Sequence, residues 1–228
     1  VTVTGTTADS FLSVWPAGKP RPRVSSVNWT AGRTIPNAVT AKVGDDGGVS
    51  VYNNSGAADV IFDVVGYFTD AVDGDGYTPL TPVRVIDSRQ PPEQVGPWAT
   101  PWDAGVTRDV TVAGQHGVPA NATAVVLNVT VTGTTAESFL SVWPAAEPRP
   151  TASSVNWAAG QTIPNAVTVK LGGGGKVSVF NNAGTVNVIL DVVGYYTAGA
   201  GGQFFPLNPT RVLDSRPAPE TVGVYATP

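Results

Sequence analysis

Apolar and polar residues alternate along nearly the whole chain with a period of two. That period belongs to half-buried strands, because successive side chains of a strand point to opposite faces. From Pro82 onward the alternation breaks into eight runs: Pro82–Asp87, Val106–Ala113, Thr123–Thr132, Ser138–Trp143, Ser153–Trp157, Asn165–Leu171, Lys176–Asn181 and Val186–Tyr196. They are rich in Val, Ile, Thr and aromatic residues, which suit a pleated surface. Gly, Pro and Asn clusters such as PAGKPRP, GDDGG and NNSG separate them and mark turns. With 20 Pro and 26 Gly the chain has no long window for a helix. The pattern predicts an all-β antiparallel β-sandwich of about eight strands, jelly-roll-like; Greek-key and barrel variants share the same signature.

The pattern also repeats. Residues 1–69 align with 129–197 without a gap at an offset of 128, and about 50 of the 69 positions are identical. A second block, PVRVIDSR at Pro82–Arg89, returns as PTRVLDSR at Pro209–Arg216 at an offset of 127. A repeat this long is a whole domain, not one rung of a solenoid. The one-residue change of offset falls between DAVDGDG and AGAGG, which predicts linkers at 70–76 and 198–202. On this frame 77–197 is a complete unit, 1–69 the back of a preceding unit and 203–228 the front of a following one. A rival frame cuts the chain at 101/102. Partial sheets leave open edges, so something must complete them, and neighbouring chains are the expected source.

Composition narrows the function classes. Charged residues are 13% of the chain and the net charge is −4, so solubility rests on Thr, Ser, Asn and Gly. No Lys/Arg run is present, which argues against nucleic acid as a partner. No apolar stretch reaches the length of a membrane span, and none has the pattern of an interfacial helix. The absence of Cys removes thiol chemistry, Cys–zinc sites and disulfides. The expected location is extracellular, at a cell surface.

Five motifs carry a family resemblance: PVRVIDSR and its copy, VLNVTVTG at Val126–Gly133, the WPAGKPRP…SSVNW segment at Trp15–Trp29 with its copy at Trp143–Trp157, an IPNAVTV-like run at Ile35–Ala41 and Ile163–Val169, and DVVGYY at Asp191–Tyr196. Together they resemble a tandem repeat domain of secreted proteins from high-GC Gram-positive bacteria. The resemblance implies secretion and tandem or appended placement, and it implies no activity.

Few residues suit chemistry. Asp63 and its copy Asp191 sit among apolar neighbours, and a buried carboxylate needs a donor. The guanidinium forks of Arg84 and Arg89, and of Arg211 and Arg216 in the second block, fit that need. The expected result is a structural salt bridge joining the first and last strands of a unit. A glycosidase-type carboxylate pair of Asp63 with Asp87 is disfavoured, because the flanking arginines would lower the pKa of the acid. The single His, His116, lies in a turn sequence and cannot form a two-His metal site. Asp70, Asp73 and Asp75 in DAVDGDG are spaced to hold Ca²⁺, but the closing Glu of a Ca²⁺ loop is missing and the other copy has no carboxylate there. An acidic linker is the competing reading.

The ligand-binding candidates are aromatic: Phe11, Trp15 and Trp29, with copies Phe139, Trp143 and Trp157. If Leu12 and Val14 point inward, Phe11 and Trp15 form an outward strip able to stack sugar rings. The alternative is that these Trp pack the opposite sheet or cap the sandwich end under PAGKPRP. The expected function is a non-enzymatic structural repeat that builds or extends a surface fibre or filament through repeated contacts with copies of itself. The alternatives are a carbohydrate-binding or adhesion module on glycans, and an accessory domain of a secreted hydrolase.

Overall fold

The computed structural model describes residues 1–23, 25–69 and 74–225. Every regular element among them is a strand. The chain forms two compact units: unit 1 is Val1–Asp63 with Arg211–Pro228, and unit 2 is Val64–Thr210.

Unit 2 holds one full set of eight strands, and each matches one of the eight predicted runs. They are β7 (Gly74–Asp87), β8 (Thr107–Thr111), β9 (Ala122–Thr132), β10 (Ser138–Pro144), β11 (Val155–Trp157), β12 (Ile163–Lys170), β13 (Lys176–Asn181) and β14 (Asn187–Gly202). One sheet runs β12-β9-β14-β7 and the other β11-β10-β13-β8, all antiparallel. Numbered from one along the unit, these orders read 6-3-8-1 and 5-4-7-2. Every sequential connection but β10–β11 crosses between the sheets, as in a jelly roll. The alternation in β9 explains the layer: Val125, Leu127, Val129 and Val131 are fully buried, while Val126, Asn128 and Thr130 between them are not. Val188, Leu190 and Val192 of β14 and Val177 and Val179 of β13 join them in a Val-rich core with Trp102 and Trp157.

Unit 1 repeats the plan with fewer strands. These are β1 (Thr2–Thr4), β2 (Ser10–Pro16), β3 (Val27–Trp29), β4 (Ile35–Pro36), β5 (Val49–Asn53) and the first half of β6 (Asp59–Phe68), with the last residues of β15 (Phe204–Asp214). Its first sheet runs β15-β6-β1-β4, which is the order β7-β14-β9-β12 copy for copy. Its second sheet has three strands, β3-β2-β5. A small core of Val3, Leu12, Val27, Trp29 and Ala58 lies between them.

Three expectations about organisation are corrected. The back and front pieces, expected to belong to different units and to be completed by neighbouring chains, complete one another within the chain. Ala198–Gly202, expected as a linker, is the end of β14, and Gly74–Gly76 opens β7. The rest of the first predicted linker, 70–73, lies outside the described residues. Neither stretch carries an alternating pattern, yet Gly202 still pairs with Gly74 across the two strands.

Candidate functional site

The repeated DSR block forms the tightest cluster of charge. β7 ends at Asp87, whose backbone N–H donates to Val95 O and whose carbonyl accepts from Val95 N–H, both at 3.0 Å. This turn leaves the Asp87 carboxylate with no solvent exposure at all. Its cost is met from both sides along the chain. Arg89 donates through Nε to Oδ1 at 2.9 Å and through Nη2 to Oδ2 at 2.6 Å, and Arg84 Nη1 donates to Oδ2 at 2.9 Å. Arg84 then reaches across to β14, with Nε donating to Asp191 Oδ1 at 2.8 Å and Nη2 to Oδ2 at 3.3 Å. The bidentate fork is the geometry in which an ion pair is strongest. Ser88 closes the same edge: its N–H donates to Val188 O at 3.1 Å, and its Oγ accepts from Val188 N–H at 2.9 Å.

Unit 1 contains the same lock, taken from the far end of the chain. Arg211 donates to Asp63 at 2.9 and 3.2 Å and to Asp214 at 3.1 Å, and Arg216 holds Asp214 at 2.9 and 2.6 Å. Ser215 exchanges bonds with Val60 as Ser88 does with Val188. The salt bridge expected for Asp63 therefore forms, with a different partner: Arg211, not Arg84 or Arg89. Arg89 and Arg216 serve Asp87 and Asp214, not the strand carboxylates. Sequence reasoning missed Asp87, Asp214, Ser88 and Ser215 as the centre of the lock. The signal was present in their return within an eight-residue block in which little else is polar.

The electrostatics hold both buried carboxylates in the charged form. Hydrogen bonds from Arg89 hold the Asp87 carboxyl below the usual carboxylate range against the upward pull of burial, and the charge of Arg84 adds to them. At Asp214 burial pushes upward, and the bonds and charge of Arg216 with the charge of Arg211 outweigh it. Arg84, Arg89 and Arg216 are raised, chiefly by their hydrogen bonds to these carboxylates. Both acids stay ionised and engaged, with no proton to give at neutral pH.

The aromatic candidates divide. Trp29 and Trp157 point into the cores, each donating its indole N–H to a backbone carbonyl at 3.0 Å (Ala8 and Ala136). They are packing residues, buried among the two sheets, as the alternative reading of these Trp has it. Trp15 and Trp143 are capped by their own following loops, through Nε1 bonds to Lys19 O at 2.8 Å and Glu147 O at 2.9 Å. The loop after β10 also covers the strand, because Ser141 Oγ donates to Ala152 O at 2.7 Å. The expected outward strip of Phe11 and Trp15 is thus interrupted at Ser13 and Ser141, both buried. What remains half-exposed is Phe139 beside Phe180, with Arg149 stacked 3.9 Å over the latter ring. Phe11, Tyr52 and Arg21 repeat this arrangement, at 3.7 Å.

Among the Ca²⁺ candidates, Asp70 and Asp73 lie outside the described residues, and the Asp75 carboxylate accepts from the Thr123 hydroxyl. No group of three or more metal-ligating side chains occurs among the described residues. A further cluster escaped the sequence because it lies outside the duplicated stretch. Trp102 is fully buried, meets Trp98 edge-on at 5.4 Å and carries Arg108 4.3 Å over its ring. No family model, curated protein or solved structure matches this chain.

Proposed function

We propose that this chain is a non-enzymatic structural repeat of an extracellular or cell-surface assembly, extended through repeated contacts between copies. The observation that carries this reading is the portability of the DSR block. Unit 2 takes its block from its own first strand, 107 positions before the carboxylate it holds, and unit 1 takes an equivalent block from 148 positions after its carboxylate. Both make the same bonds to within 0.3 Å. A closing strand that works from either side of its unit suits an array, because heterologous contacts of one kind repeat without limit unless they close. The charged residues support the reading by being spent on joining strands. Electron microscopy of the purified chain over a range of concentrations tests it. End-to-end particles that lengthen with concentration are expected, and discrete monomers throughout would end it.

A second reading, glycan binding, is favoured by one observation: the half-exposed Phe139 ring lies beside Phe180 and the Arg149 guanidinium stacked on it, an apolar surface next to a donor. Pulldown on polysaccharide, compared between the native chain and a Phe11→Ala, Phe139→Ala double variant, separates the two readings.

A further inference from the structure

Three pairs of arginines stand at matching places in the two copies, and two of the pairs are spent. Arg84 with Arg211, and Arg89 with Arg216, hold the buried carboxylates of the DSR lock. The third pair is Arg21 and Arg149, both exposed. Among the described residues neither makes an ion pair, and neither guanidinium donates a hydrogen bond. Each lies over an aromatic ring instead, Arg149 3.9 Å from the centre of Phe180 and Arg21 3.7 Å from that of Tyr52. The ring differs between the copies, and the charge two residues earlier reverses from Lys19 to Glu147, yet the stacked arginine keeps its place. Stacking uses the face of a guanidinium and leaves its N–H edge free.

The local sequence holds Arg149 ready. It lies in Pro148-Arg149-Pro150, and proline restricts the backbone at its own position and at the residue before it. The loop is tied down just before, where Trp143 Nε1 donates to Glu147 O at 2.9 Å, and just after, where Ser141 Oγ donates to Ala152 O at 2.7 Å. A side chain so placed has little freedom left to lose on binding. Its neighbours complete a row on the outer face of the sheet. Leu140, Val142, Val177 and Val179 point into the core, so Phe139 and Phe180 stand on the other side. The Phe139 ring is 6.4 Å from Phe180, and across the ladder Phe139 faces Asn156 of β11. Asn156 donates through Nδ2 to Ser153 Oγ at 2.9 Å, and its Oδ1 has no donor among the described residues.

We infer that this row binds the uronic acid residues of an acidic polysaccharide, with the sugar carboxylate on the Arg149 fork, the apolar face of the sugar ring on Phe139 and a hydroxyl donating to Asn156. Charge complementarity selects the anion, because a free guanidinium edge fits a carboxylate with two bonds. The adjoining ring and amide oxygen select a sugar over a bare carboxylate. Unit 1 carries the same elements in Arg21, Phe11 and Asn28. Two copies of one weak site in one chain suit a ligand that itself repeats, which favours a polysaccharide over an acidic protein segment. The inference rests on the glycan reading of this site and adds the charge of the sugar.

The probes are oligomers of galacturonate and of mannuronate, the methyl ester of the galacturonate oligomer, and poly-L-glutamate, each titrated into the full chain by calorimetry. A uronate oligomer should bind about tenfold more tightly than the uncharged ester, as hydrogen bonds to a charged group do. Added salt should shrink that advantage. The chain carrying Arg21→Ala and Arg149→Ala, both at exposed positions, should keep its fold by circular dichroism and hold acid and ester alike. Equal binding of acid and ester by the native chain overturns the inference. If that binding is lost with Phe11→Ala and Phe139→Ala, the glycan reading stands without it. Preference for acid that survives loss of both arginines also overturns the inference. Binding of poly-L-glutamate in preference to every sugar overturns it together with the glycan reading. Failure to bind either uronate overturns it alone, and the pulldown on neutral polysaccharide then decides the glycan reading.

Discussion

A single carboxylate decides whether each unit closes. Asp87 has no exposure and accepts from two arginines, so replacing it strips Arg89 of its bonded carboxylate and leaves Arg84 with Asp191 alone. Breaking a buried pair in this way costs about 3 kcal/mol. Asp87→Asn should therefore lower the melting temperature of unit 2 by roughly 6–12 °C in calorimetry. Asp191→Asn, at the half-exposed end of the same chain of bonds, should cost less, and no change at all would refute the lock. Acid acts through the same groups. The folded-state carboxyls of Asp87 and Asp214 titrate below their unfolded values. Their contribution is thus complete above the unfolded value of about 3.9 and is lost as pH falls through the lower folded values. Denaturant titrations should show stability flat from neutrality to about pH 5, then a decline below about pH 4 that is shallower in Asp87→Asn. The need of Asp63 and Asp191 for arginine was legible in the sequence, because a carboxylate between apolar neighbours has few solutions. The burial of Asp87 was not legible, because alternation cannot show that a strand turns back at its last residue.

Strands here depend on glycine for close approach. Gly66 in β6 faces the Phe204 ring, and a Cβ added there would lie 2.4 Å from Cζ of that ring and 2.9 Å from Phe205 O. Phe204 is itself buried and stacks on Tyr196 at 4.3 Å, so it has little room to move. Covering a strand glycine with an aromatic ring from the next strand stabilises a site that otherwise lacks a side chain. Gly194 repeats the device under Tyr77. Gly66→Ala should destabilise unit 2 by about 1–3 kcal/mol through overpacking. A double-mutant cycle with Phe204→Ala should recover part of that loss, and strict additivity would show that the ring is not the obstacle. The eight strands β7–β14 could be read from period two and the turn residues. The extension of β14 through Ala198–Gly202 could not, because AGAGG has neither side chains to alternate nor β propensity, and cross-strand pairing overrides the composition.

The two units differ in how much they bury. Unit 2 surrounds Trp102 and Trp157 with valines from both sheets, and unit 1 has a core of five residues. Calorimetry should resolve two transitions, with unit 1 melting first, and Arg211→Ala should lower only the first; a single transition shifted by that substitution would refute the division. Duplication was plain from the residues, and so was the sandwich. The union of the two end segments was not, because nothing local to either one names its partner. That union also sets the order of events as the chain folds. Every element of unit 2 finds its neighbours within a continuous stretch, whereas Asp59 and Ser215 must meet across 156 positions. Search over such a span is slow, because chain entropy is lost before any contact repays it. During synthesis, residues 1–63 would stay unfinished until Arg211 emerged, with apolar side chains exposed to chaperones and to self-association throughout.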